Sequence, residues 1–85
     1  MAQHVDDDTV ERQKLRGAKI RLLRQQTGVK KAPFAKRCGC SYSHLDNVEH
    51  GRKQPSIELL HRIANQLGVD IDEISLAETD LRESA

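Results

Sequence analysis

Tryptophan is absent from this chain, and phenylalanine and tyrosine occur once each. With 85 residues and so little aromatic volume, the chain supports one domain with a thin core. A second copy or a ligand is expected to add stability. Cysteine is scarce too. Cys38 and Cys40 stand one residue apart at a turn, where disulfide geometry is hard to meet, and they read as small core hydrophobes. A redox switch is the sharper reading of the pair, with Lys36 and Arg37 near enough to lower a thiolate pKa. His4, His44, His50 and His61 are scattered and show no metal-ligand spacing, so no metal and no cofactor are expected. There is no signal-peptide pattern and no run of about 18 apolar residues. The expectation is a soluble protein of a reducing cytoplasm, with no membrane contact. No segment alternates with period two, which excludes strands as main elements. No Gly-rich phosphate loop and no nucleophile with an identifiable base is present, and no enzyme is expected.

What the chain does have is charge, unevenly placed. Residues 1–11 carry four acids and no Lys or Arg; residues 12–53 carry twelve Lys or Arg against Asp46 and Glu49; residues 54–85 carry two Arg against seven acids. A central block of +10 between acidic ends is the footprint of a polyanion binder.

Apolar spacing and turn residues divide the chain into five helices. Asp8 with Glu11 reads as a capping box, so a first helix is expected from there to Thr27, with Leu15, Ile20, Leu22 and Leu23 inward and residues 1–7 disordered. A second spans Lys31 to Cys38, with Pro33 in its first turn and Phe34, Ala35 and Cys38 on one face. Ser41 caps a third, Tyr42 to His50, with Leu45 and Val48 inward, and Gly51 stops it. Ser56 caps a fourth carrying Ile57, Leu60, Ile63, Ala64 and Leu67, which Gly68 ends. Asp70-Ile71-Asp72-Glu73 reads as another capping box opening a short fifth helix, with Ile71 and Ile74 inward and Leu76 and Leu81 beyond. The domain division is an arm (1–16), a compact all-α domain (17–74) and an acidic tail (75–85). Only Gly39, Cys40 and Ser41 join the second and third helices, a helix-turn-helix spacing.

The ordered series Gly17-Ala18-Lys19-Ile20-Arg21, Leu23-Arg24, Gly28-Val29, Phe34-Ala35, Gly39-Cys40-Ser41, Val48-Glu49-His50-Gly51-Arg52, Pro55-Ser56, Ile63-Ala64, Leu67-Gly68-Val69 and Asp72-Glu73-Ile74 resembles the phage-repressor/Cro class of helix-turn-helix proteins, also called the XRE family. The resemblance implies a five-helix lambda-repressor-like fold with the third helix in the major groove of double-stranded DNA. It implies base contacts from Tyr42, Ser43, His44 and Asn47, with Asp46 an occasional contributor. Phosphate contacts are implied for Lys31, Ser41, His50, Arg52 and Lys53, and a structural ion pair for Arg24 and Glu49. Lys30 stands where a Ser or Thr usually caps the second helix, and Lys31 where a Gln is usual. Lys31 keeps a phosphate contact but loses the amide that braces a neighbour. Pro33 and Phe34 replace an acidic residue and Leu, so the start of the second helix is expected to tilt differently.

The functional expectation is a sequence-specific transcriptional regulator, a repressor acting as a homodimer on a palindromic operator in a bacterial or phage setting. Ile71, Ile74 and Leu76 are the residues expected at the dimer interface. The alternative is an antitoxin or adaptor that binds a small protein partner through residues 1–11 and 75–85.

Overall fold

The computed structural model describes the backbone of residues 2–75 and the side chains of residues 10–75. Residues 76–85 of the acidic tail, Leu76 and Leu81 among them, lie outside the described residues. Four α-helices follow one another: α1 (Ala2–Thr27), α2 (Lys31–Cys38), α3 (Tyr42–Glu49) and α4 (Ile57–Leu67), then a single 3-10 turn, Ile71–Glu73. α3 packs on α1 and α2, while α4 packs on α2, α1 and the 3-10 turn.

Glycines and serines set the boundaries of α2, α3 and α4. Gly39 ends α2 in the left-handed region, its N–H shared between the carbonyls of Ala35 and Lys36, and the Cys40 N–H returns to Ala35 O at 3.0 Å. Ser41 then opens α3, its Oγ accepting from the His44 N–H at 3.0 Å. Ser56 does the same for α4 with the Leu59 N–H at 3.1 Å. Lys30 gives α2 no side-chain cap. Arg62 of α4 donates from Nε to the Cys38 carbonyl at 2.8 Å and ties down the turn that orients α3.

The core is built from Ile20, Phe34, Ala35, Cys38, Leu45, Val48, Leu59, Leu60, Ile63, Ala64 and Ile74. Several expectations from sequence need correction. The chain is helical from Ala2, so Asp8 does not open the first helix. With no Gly or Pro before Gly17, nothing in the preceding residues breaks the helix there. Leu15 and Leu22 are exposed at 57 % and 51 %; α1 instead turns Arg16, Gly17, Ile20 and Arg24 inward, a face largely polar in composition. On α4, Ile57 is exposed and Leu59 takes the inward place. The fifth helix is one 3-10 turn, and Asp70 makes no side-chain cap. A capping sequence permits a helix to start but does not offset the cost of nucleating one. Here Ile74 and Ser75, both buried, draw the chain inward at once.

Gly17 is where α1 meets the end of α3. A Cβ at this position would sit 2.4 Å from the Val48 carbonyl oxygen and 2.5 Å from that of Glu49. The obstacle is backbone, so the helices must separate to admit a methyl group. Gly17→Ala is expected to lower stability by about 1–3 kcal/mol through overpacking, although alanine is the better helix former. A urea melt with an unchanged or raised midpoint would contradict this.

Candidate nucleic-acid interface

Eight residues of α3 divide between two faces. Leu45, Val48 and Glu49 point into the protein and are buried, whereas Tyr42 and Ser43 are exposed and His44, Asp46 and Asn47 are partly so. The inward face is anchored through charge as well as apolar contact. Arg24 of α1 reaches Glu49 in a bidentate pair, Nε to Oε2 at 2.7 Å and Nη2 to Oε1 at 3.2 Å, and its Nη1 donates to the Val29 carbonyl at 3.0 Å. One guanidinium thereby joins α1, the α1–α2 connection and α3.

The cations flanking the outward face come from two directions. Lys31, first residue of α2, donates to Asp46 Oδ1 at 2.7 Å and lies 3.8 Å from Glu49 Oε1. Its ammonium also sits 5.6 Å from the centroid of the Tyr42 ring, a cation–π distance. The bracing expected to be lost with the usual Gln is therefore supplied by charge and ring contact. From the other side, Arg52 donates from Nη2 to Asp46 Oδ2 at 2.9 Å and from Nε to Asn47 Oδ1 at 3.0 Å. The Asn47 carbonyl accepts from the Arg52 N–H at 2.8 Å and the Lys53 N–H at 3.3 Å, folding the loop back on the helix end. His50 Nδ1 lies 2.8 Å from the Asp46 carbonyl oxygen and 3.3 Å from Asp46 Oδ1. Lys53 is exposed and forms no ion pair among the described residues.

Asp46 thus gathers Lys31, Arg52 and His50 around one carboxylate, an arrangement the sequence reading missed. The hydrogen bond from Lys31 is the leading cause holding its pKa below the usual carboxylate value, helped by the charges of Lys31, His50 and Arg52. The only prior signal was its helical spacing, four residues after Tyr42 and four before His50.

The structure brings Lys31, Ser41, Tyr42, Ser43, His44, Asn47, His50, Arg52 and Lys53 to α3 and its two ends. The Ser41 oxygen is occupied as a cap, which leaves its O–H to donate outward. Ile74 is fully buried in the core and has no surface to offer a second copy; Ile71 packs partly against that core. Leu76 lies outside the described residues.

Nor do the cysteines look reactive. Burial, then the neighbouring Cys40, pushes Cys38 up to about 11, and burial raises Cys40 as well; the lowering influence on both is Arg62, not Lys36 or Arg37. A thiol held protonated is a poor nucleophile, which removes the basis for the redox reading. Among the described residues no cluster of ligating side chains could hold a metal ion, and no helix is long and apolar enough to cross a membrane.

An all-α domain that presents a capped, polar-faced helix after a glycine turn, with cations at both its ends, is a DNA-binding helix-turn-helix domain. A family model described as a helix-turn-helix domain matches residues 17–77, and the chain belongs to that family. It is of the phage-repressor type that the sequence resembles, within the class of transcriptional regulators. A propionyl-CoA carboxylase regulator from Cereibacter sphaeroides is 35 % identical over 73 residues, covering 80 % of this chain but only 16 % of the regulator. The ImmF control region 10 kDa protein of Bacillus phage phi105 is 33 % identical over 67 residues, covering 79 % of this chain and 74 % of the phage protein. In fold the chain is similar to the restriction-modification controller protein C.AhdI from Aeromonas hydrophila, with a TM-score of 0.75 at 24 % identity over 79 % of this chain and 97 % of that one.

Proposed function

We propose that the protein is a sequence-specific repressor that binds a two-fold operator as a homodimer, with α3 in the major groove. The observation that carries this reading is the outward face of α3, where Tyr42, Ser43, His44 and Asn47 stand between Lys31 at one end and Arg52 and Lys53 at the other. Asn47 is the main base reader. Its Oδ1 is engaged by Arg52, so its amide N–H groups remain to donate to a base acceptor. Lys31, Ser41, His50, Arg52 and Lys53 serve the phosphates.

Two copies are favoured by the size of the reading element. An eight-residue helix is about 12 Å long and covers about four base pairs, too few to mark one site in a genome. Two copies with reading helices about 34 Å apart double the reading length. Repression follows from occupancy alone. The phage control-region relative is consistent with that use, as a protein named for a control region.

A footprint on the DNA upstream of its own coding region tests the reading; a protected two-fold site is expected, and absence of protection at any protein concentration would contradict it. On the selected site, Asn47→Ala is expected to cost about 1–3 kcal/mol and to flatten sequence preference. Lys53→Ala, a phosphate-side change, weakens selected and random duplexes alike. Equal losses on both duplexes for Asn47→Ala would remove it from the reading set. Arg52→Ala does not belong with Lys53→Ala, because Arg52 also holds the Asn47 amide.

A further inference from the structure

A carboxylate on the face that meets a polyanion is repelled by every phosphate it approaches. Asp46 lies on that face, between Tyr42 and Asn47 in helical position, and its side chain is 27 % exposed. Three basic side chains converge on it: Lys31 from α2 at 2.7 Å, Arg52 from the loop after α3 at 2.9 Å, and His50 from the end of α3 at 3.3 Å. These are side chains assigned above to phosphate contact, and each faces the same anion in the DNA-free protein.

We infer that Asp46 is the selectivity residue of this surface, an internal anion that occupies the place among Lys31, Arg52 and His50 which a DNA phosphate takes on binding. The inference rests on the DNA-binding reading above. A phosphate must displace the carboxylate, and the displaced carboxylate stays close to the duplex and repels it. Random DNA supplies phosphates but no fit to Tyr42, Ser43 and Asn47, so nothing offsets that displacement. A selected site offsets it with base contacts. In the DNA-free protein one guanidinium spans Asp46 Oδ2 and Asn47 Oδ1, so the carboxylate also holds the base-reading amide in place until a phosphate displaces it. The Lys31 ammonium, held by Asp46, in turn sits against the Tyr42 ring.

The test compares wild type, Asp46→Asn and Asp46→Glu by fluorescence anisotropy on a random-sequence duplex and on a duplex selected from a random pool by the wild type. Asp46→Asn is expected to bind the random duplex tighter, on the order of fivefold at low salt, and to lose discrimination between the two. Asp46→Glu, which keeps the charge, stays near wild type on random DNA. Unchanged or weaker random binding by Asp46→Asn overturns the assignment, as does an equal gain in Asp46→Glu. A second readout needs no DNA: acetylation of Lys31 by acetic anhydride should be faster in folded Asp46→Asn than in wild type, and equal rates would show that the ion pair does not hold in solution. If the wild type binds neither duplex at any salt, the DNA-binding reading falls and the assignment with it. If the wild type binds and Asp46→Asn gains nothing, only the role of Asp46 falls.

Discussion

Arg24→Ala is expected to lower the unfolding free energy by about 3–5 kcal/mol, the loss typical of breaking a buried ion pair on one side. The Glu49 side chain is fully buried and that of Arg24 is 8 % exposed, so neither charge has much water to fall back on. Truncating Arg24 removes both bonds of the bidentate pair and leaves Glu49 with the more distant Lys31, at 3.8 Å. The Val29 carbonyl loses its donor at the same time. For a domain of this size such a loss is a large fraction of total stability. DNA binding should vanish with it, although Arg24 is buried against the inward face of α3 and not on its exposed face. The diagnostic is the double variant Arg24→Met with Glu49→Leu. Replacing both partners by apolar groups removes the stranded charge and should restore most of the stability. A urea melt of Arg24→Ala within about 1 kcal/mol of wild type, or a double variant no better than the single one, would show that the pair is not the anchor of α3.

That pair also marks the limit of what periodicity reveals. α2, α3 and α4 were legible because their ends carry backbone chemistry: left-handed glycines at Gly39, Gly51 and Gly68, and capping hydroxyls at Ser41 and Ser56. Their inward faces follow apolar spacing, with Ile57 the exception. α1 was read less well because the residues it buries beside Ile20 are Arg16, Gly17 and Arg24, which a hydrophobic stripe does not register. Leu15 and Leu22 register strongly and are exposed. Gly17 looks like a weak point in a helix until the backbone carbonyls of α3 are placed against it. The candidate site divides the same way. Tyr42, Ser43, His44, Asn47, Arg52 and Lys53 are proposed as contacts from family resemblance and position on the helix. The convergence on Asp46 joins residues 31, 46, 50 and 52 across two helices and a loop, and such a cluster has no period. Ile74 shows the opposite error: an isoleucine near an acidic tail read as a dimer contact is a core residue with no exposed surface.

The second large effect expected is in salt. Binding to DNA releases about 0.9 counterion per phosphate neutralised, so the log–log slope of affinity against salt counts the charges delivered. On the proposed reading each protomer brings Lys31, Arg52 and Lys53 to the phosphates, with the histidines counted as neutral. Asp46 travels with them and cancels one, which leaves two net charges per protomer. The expected slope is therefore about −1.8 per protomer and about −3.6 for two copies on one operator. Raising salt fourfold, from about 50 to about 200 mM, should then weaken the complex on the order of a hundredfold. Asp46→Asn removes the cancelling charge and should steepen the slope by about 0.9 per protomer, so its gain in affinity shrinks as salt rises. Lys53→Ala should make it shallower by the same amount, whereas Asn47→Ala, which carries no charge, leaves it unchanged. Anisotropy titrations at four or five salt concentrations separate these outcomes. A slope near zero would sink phosphate contact as the source of affinity. A wild-type slope equal to that of Asp46→Asn would show that the carboxylate leaves the duplex rather than opposing it.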